Sequence, residues 1–131
     1  MYTMRQAAKL AGMNYETLRF YCKEGLVPNV KRDKNNYRIF DDNNITWLKS
    51  LECFKQSGMG ITELRHFMNL SIEGEDTVIE RMAILNNKKK ELYEEIEKIK
   101  RNIDYIDHKL ERYQDLLDGK AQYINLLAPK E

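Results

Sequence analysis

Between Val78 and Leu117 the chain keeps a spacing that few folds can absorb. Stepping by four and three, the positions are Val78, Met82, Leu85, Lys89, Leu92, Ile96, Ile99, Ile103, Ile106, Leu110, Tyr113 and Leu117, and all but Lys89 are apolar or aromatic. A 3.5-residue repeat keeps one narrow seam facing a partner along a helix. No Gly or Pro interrupts the stretch, and the intervening residues are mostly Lys, Glu, Asp, Arg and Asn. At a rise of 1.5 Å per residue such a helix is on the order of 60 Å long. The chain offers no second helix of that length. The seam therefore predicts a homodimer; the alternative is a long helix packed on its own globular domain.

The 131 residues suffice for one small domain plus this helix. A net charge of +1 hides an asymmetry. Residues 1–40 carry eight bases (Arg5, Lys9, Arg19, Lys23, Lys31, Arg32, Lys34, Arg38) against three acids (Glu16, Glu24, Asp33), a balance of +5. Residues 76–131 carry 11 bases against 12 acids. A basic head on a neutral helix suggests that the head meets a polyanion, although many solvated faces look similar. The two cysteines, Cys22 and Cys53, form no CxxC or His/Cys cluster. With no signal peptide, they suggest a reducing cytosol. No apolar run approaches a membrane span, and nothing suggests a metal or a cofactor. No paired-carboxylate cleft, nucleophile motif or phosphate loop points to an enzyme.

Taken in order, residues 3–11 predict a short helix capped by Thr3 with Gln6 three residues on, a capping-box pair. Gly12 ends it. Asn14 caps a second helix, Tyr15 to Glu24, closed by Gly25. Two short helices, a tight glycine-containing turn and small alanines at the crossing suggest a helix-turn-helix, with an ordinary helical hairpin as the alternative. The second helix carries Tyr15, Thr17, Arg19, Tyr21 and Lys23, with Leu18 on its core side. Residues 31–40 read as a small hairpin turning at Asn35-Asn36. Its Lys31, Arg32, Tyr37 and Arg38 are placed to straddle a DNA backbone, unless the segment is only a basic loop. Asp41 and Asp42 start a third helix that runs to about Gln56. A fourth follows from Gly60, with Ile61, Leu64, Phe67 and Met68 as its apolar stripe. The expected fold is all-α with a small β wing. Its organisation is a head over 1–71, a hinge over 72–75, a dimerisation helix over 76–118 and a short tail over 119–131.

The run Tyr15-Glu16-Thr17-Leu18-Arg19-Phe20-Tyr21-Cys22-Lys23-Glu24-Gly25-Leu26 resembles the recognition-helix signature of the MerR family of transcription regulators. The wing Asn36-Tyr37-Arg38-Ile39-Phe40 and the turn Gly58-Met59-Gly60 match its later landmarks, and the resemblance covers residues 2–118. It implies winged helix-turn-helix heads joined by an antiparallel coiled coil. Such heads bind double-stranded promoter DNA at an inverted repeat. They untwist an overlong spacer, so that RNA polymerase can align with both promoter elements, a form of indirect readout. Carried over residue by residue, DNA contact falls on Tyr15, Thr17, Arg19, Tyr21, Tyr37 and Arg38, with Arg5 as a phosphate contact. The chain departs from the family in having Cys22 where Glu is usual, Asn36 in place of a wing Gly, and Gly60 where Ser is common.

Metal-sensing members place cysteines after this point, and the chain has none beyond Cys53. Multidrug-sensing members carry a large C-terminal domain, which the 12 residues Lys120–Glu131 cannot supply. The run Arg38-Ile39-Phe40-Asp41, Trp47-Leu48, Cys53 and Gly58-Met59 resembles the aldehyde- and thiol-stress branch of the family. That branch responds to electrophiles such as formaldehyde, methylglyoxal or quinones and controls detoxifying dehydrogenases. The resemblance makes Cys53 the sensor candidate. Read alone, Cys53 is better explained as a small buried hydrophobe. Lys49, one turn earlier, favours its thiolate and Glu52 opposes it. Cys22 is a second thiol, on the recognition helix. His66 and His108 read as lone surface or packing residues. A coiled-coil adaptor whose head binds protein is the competing class.

Lys89 is the one charged seam residue, and a polar seam position fixes register at some cost in stability. Lys89→Leu is expected to raise dimer stability, measured as the concentration-dependent midpoint of thermal unfolding. A lower midpoint means the seam is misassigned.

Overall fold

The computed structural model describes residues 1–130; Glu131, the last residue of the expected tail, lies outside them. Helix α1 (Met4–Ala11) starts from the capping box. Thr3 Oγ1 accepts the Gln6 N–H at 3.2 Å, and Gln6 Oε1 accepts the Thr3 N–H at 2.9 Å. In α2 (Tyr15–Lys23), Asn14 Oδ1 accepts the Thr17 N–H at 2.8 Å. Strands β1 (Lys31–Arg32) and β2 (Arg38–Ile39) pair antiparallel, with Lys31 opposite Ile39 and Arg32 opposite Arg38. Helices α3 (Asp42–Gln56) and α4 (Ile61–Glu73) follow. A single 3-10 turn, Glu75–Thr77, then leads into α5 (Val78–Leu117), a helix of 40 residues.

One device ends four of the helices. After α2, the Leu26 N–H bonds Tyr21 O at 2.9 Å and the Gly25 N–H bonds Cys22 O at 3.1 Å, with Gly25 at φ 70°. This is a Schellman cap, which needs a left-handed residue that glycine adopts without a Cβ clash. The same pair of bonds recurs at Gly12-Met13, Gly58-Met59 and Gly119-Lys120. In the three caps of the head the residue after the glycine (Met13, Leu26, Met59) is buried, so each stop also contributes to the core.

That core lies between α1, α2, α3 and α4. Leu18, Leu26, Phe40, Leu48, Leu51 and Leu64 are its fully buried side chains. Ala7, Ala8 and Ala11 let α1 lie close against α2 and α3. Burying each large apolar side chain contributes about 1.5–3 kcal/mol. At the edge of the core Phe67 stacks on Trp47 at 6.3 Å and meets Phe54 edge-on at 4.9 Å.

The structure adds two features to the expected elements. Tyr2 forms a bridge with Phe40, exchanging backbone bonds of 2.7 and 2.9 Å, so the N-terminus lies along the wing. Helix α4 runs through Ile72 and Glu73, inside the segment read as hinge, and breaks at Gly74. By compactness the chain divides into Met1–Lys88 and the part from Lys89 onward. No residue of α5 is buried.

Leu48→Ala is expected to lower the free energy of unfolding by about 2–5 kcal/mol, because it leaves a cavity in a filled core. Leu10, 47% exposed, should change it by less than about 0.5 kcal/mol when truncated to Ala. Denaturant midpoints at unchanged slope test both; similar losses at the two sites would show that the core is drawn wrongly.

Candidate nucleic-acid interface

The recognition helix α2 is held from behind, so that its front is free. Leu18 has no exposed surface and Tyr21 keeps only 3% of its own. Behind the C-terminus, Arg65 of α4 donates from Nη1 to Glu24 O at 3.0 Å, and its Nη2 lies 3.6 Å from Glu24 Oε2. Two side chains of α3 pin the loop beyond. Trp47 Nε1 donates to Leu26 O at 2.8 Å, and Asn44 Nδ2 donates to Pro28 O at 3.1 Å. Glu16, Arg19, Phe20 and Lys23 stay exposed on the front.

The wing is built to turn its acid inward. Asp33 Oδ1 accepts the N–H groups of Asn35 and Tyr37 at 2.9 and 3.0 Å, and Asn36 takes the left-handed conformation at φ 66°. Asn tolerates that region better than most residues, so it serves where the family's wing has Gly. Arg32 Nη1 donates to Asn36 O at 2.8 Å, leaving its remaining donors for a ligand.

These elements bring Arg5, Tyr15, Arg32, Tyr37 and Arg38 around one groove of about 410 Å³. Its walls are the first turn of α1, the first residue of α2 and the wing. Three guanidinium groups face one acid, Asp33, whose carboxylate already serves the turn. Tyr37 is 70% exposed. A slot of this charge, lined with tyrosine hydroxyls and arginine forks, suits a phosphate backbone.

The other sequence-predicted residues lie elsewhere. Lys31 is exposed on β1 and does not line the groove. Arg19 stands on the open face, 3.9 Å from Glu16. That exposed pair contributes little to stability and is easily exchanged for a phosphate. Thr17 lines a second, more apolar hollow beside α4, with Phe20, Met59 and Ile61. Tyr21 differs from its expectation. Its ring packs in the core, and burial, followed by the Glu52 carboxylate, pushes its hydroxyl pKa up. The 3.6-residue period that places Leu18 inward carries Tyr21, three positions on, to the same side. Lys9 was missed. It lies beside Arg5 around a neighbouring hollow on α1, and its four-residue spacing from Arg5 was the available signal.

Of the thiols, Cys53 is exposed on α3 and Cys22 is half-buried. Burial pushes the Cys22 thiol pKa up, while Arg38 and Arg32 pull it back. Exposure removes the reading of Cys53 as a buried hydrophobe. Among the described residues no group of three or more His, Cys, Asp or Glu side chains is placed to hold a metal ion. No helix there is long and apolar enough to cross a membrane.

A capped recognition helix beside a basic wing groove defines a DNA-binding transcription regulator of the winged helix-turn-helix class. The family model for MerR HTH family regulatory proteins matches residues 2–71, and the chain belongs to that family. It is 41% identical over 126 residues to an uncharacterized HTH-type transcriptional regulator of Haemophilus influenzae, covering 95% of this chain and 93% of that protein. It is 36% identical over 89 residues to the HTH-type transcriptional regulator AdhR of Bacillus subtilis, covering 68% and 64%. The crystal structure of HiNmlR, a MerR family regulator lacking the sensor domain and bound to promoter DNA, superposes with a TM-score of 0.76. It is 40% identical, with 87% of this chain and 90% of that one covered. Within the family these relatives set the chain in the NmlR/AdhR-like branch.

Each phosphate neutralised steepens the fall of affinity with salt by about 0.9 on a log–log plot. Arg38→Ala and Arg5→Ala should each weaken duplex binding at low salt and make that slope shallower by about 0.9 for each head bound. Fluorescence anisotropy over a salt series measures it. Unchanged slopes in both variants would take the groove off the DNA path.

Proposed function

We propose that the protein works as a homodimer that seats its two heads on the half-sites of an inverted repeat in promoter DNA. The carrying observation is the convergence of Arg5, Tyr15, Arg32, Tyr37 and Arg38 on one groove beside the open face of α2. In this reading α2 enters the major groove with Thr17 and Arg19, and the wing, with Lys31, takes the flanking backbone. Tyr21 supports the helix from behind. The head ends near residue 71, residues 72–75 form the joint, and 76–118 form the dimerisation helix.

The case for a dimer rests on α5. Ile96, Ile99, Ile103, Ile106, Leu110, Tyr113 and Leu117 are each between 44% and 82% exposed. A continuous apolar seam of this kind marks an interaction surface. The orientation follows from Lys89. In a parallel pair two lysines would face each other across the seam. In an antiparallel pair that sets Val78 opposite Leu117, Lys89 meets Ile106 instead. Two heads on a stiff pair of helices can hold a promoter spacer bent and untwisted, and so change how RNA polymerase meets it. Such a regulator acts where the chromosome is, in the cytoplasm.

Sensing is assigned to Cys53. Its thiolate adds to an aldehyde carbonyl carbon, and the carbonyl oxygen takes a proton to give a hemithioacetal. Cys53 is exposed on α3, two residues beyond Leu51 of the core, so the added bulk bears on the helix that pins the loop after α2. HiNmlR is a MerR family regulator lacking the sensor domain, and Cys53 of this chain lies within the head. In a promoter–reporter assay Cys53→Ala should leave duplex affinity unchanged and abolish aldehyde-induced transcription, while Cys22→Ser keeps the response. A Cys53→Ala protein that responds like the wild type refutes the thiol reading.

A further inference from the structure

Two polar side chains are buried among the described residues, Asn44 and Thr77. Asn44 caps α3 and donates to Pro28 O. Thr77 serves nothing on the DNA-facing surface. It closes the 3-10 turn between α4 and α5. Its hydroxyl lies 2.6 Å from Leu70 O and 2.8 Å from Gly74 O, sharing its proton between them. Its oxygen accepts Arg81 Nε–H at 3.0 Å, and Arg81 Nη2 donates to Gly74 O at 2.9 Å. The Thr77 N–H also reaches Gly74 O, at 3.1 Å. A helix leaves its last carbonyls without intrahelical partners. Here the next element supplies donors to them. Gly74 itself sits at φ 103°, ψ −153°, a region essentially confined to glycine.

We infer that Thr77 and Arg81 form a positioning clamp that fixes the angle between α4 and the root of α5, and through it the half-site spacing the dimer reads. This rests on the dimeric DNA-binding reading above. Rotating α5 at its root breaks up to three side-chain hydrogen bonds at once, and takes the hydroxyl donor away from the Leu70 and Gly74 carbonyls. Other polar links between the two helices include the ion pairs Lys88 to Glu63 at 3.6 Å and His66 to Glu80 at 3.8 Å. Each has at least one exposed partner, and exposed pairs constrain little. The lever is long. A tilt of about 10° carried over roughly 30 Å of helix moves a head by about 5 Å, more than the roughly 3.4 Å rise of one base pair.

The experiment uses the full chain. Duplexes are selected by the wild-type protein from a randomised pool, then rebuilt with the spacer longer or shorter by one and two base pairs. Thr77→Val keeps the shape and removes the hydroxyl; Arg81→Met removes the outer donors. Both should cut the preference for the best spacer over its neighbours by about fivefold or more, while binding to an isolated half-site stays at the wild-type level. Thr77→Ser, which keeps the hydroxyl, should keep the wild-type profile. A purely structural role would weaken half-site and full-site binding together. Circular dichroism confirms folding, and if Thr77→Val does not fold, Arg81→Met decides alone. Folded variants with the wild-type spacing profile overturn the clamp. A wild-type protein that binds duplex with no spacing preference overturns instead the two-headed reading beneath it.

Discussion

Burial of Leu18 beneath a nine-residue helix is the contact on which the DNA-reading surface depends. A helix that short is marginal in water by itself. It persists because one face is in the core and both ends are tied. Asn14 satisfies the front end, and Gly25 with Leu26 satisfies the back. Arg65 reaches across from α4 to Glu24. The buried contacts and the caps thus lie behind the helix or at its tips. The outward face carries no structural duty, so Arg19 and Phe20 can be spent on a ligand without loosening the fold.

The wing follows the same division of labour at smaller scale. Two two-residue strands cannot hold a hairpin alone. Asp33 gathers two backbone donors, Asn36 supplies the left-handed turn, and the Tyr2–Phe40 bridge ties the exit to the N-terminus. One carboxylate oxygen of the wing's single acid is engaged by the turn. The other outward charges of the wing are the cations of Lys31, Arg32, Lys34 and Arg38. The electrostatic character of the groove therefore comes from which charges the fold consumes as much as from how many the sequence carries. This is the arrangement expected of a MerR family member, and HiNmlR, a relative of the same fold, is seen bound to promoter DNA.

The long helix poses the opposite problem. Its first three turns are bound to the head through Arg81, Ile84 and Lys88, and the 3-10 turn before them through Thr77. Beyond them, none of the 29 residues from Lys89 to Leu117 is fully buried in the single chain. A seam of isoleucines left in water is a cost that the proposed second copy would remove. The tight joint at one end and the unsatisfied seam along the rest fit the proposed two-headed reader, which would need angles held firmly and a partner to hold them against.

Much of this was legible in the sequence because it is written in local chemistry. Thr3 with Gln6, Asn14, Asp41, and the glycines after each helix mark boundaries that the structure keeps to within about a residue. The Val78–Leu117 repeat marks one uninterrupted helix, because its signal depends only on spacing along the chain. Long-range placement was not written there. Tyr21 looks like a groove-facing phenol until the core claims its ring. Cys53 looks like a small hydrophobe until α3 turns it to solvent. The Tyr2–Phe40 bridge joins residues 38 apart, and Arg65 finds Glu24 across a similar gap. Such contacts leave no periodic trace. The sequence by itself determined where the helices start, stop and carry charge, since caps, turns and heptads act within a few residues. Only the tertiary structure decided which of those charges share a groove and how α5 is locked to α4, because both depend on packing between segments far apart in the chain.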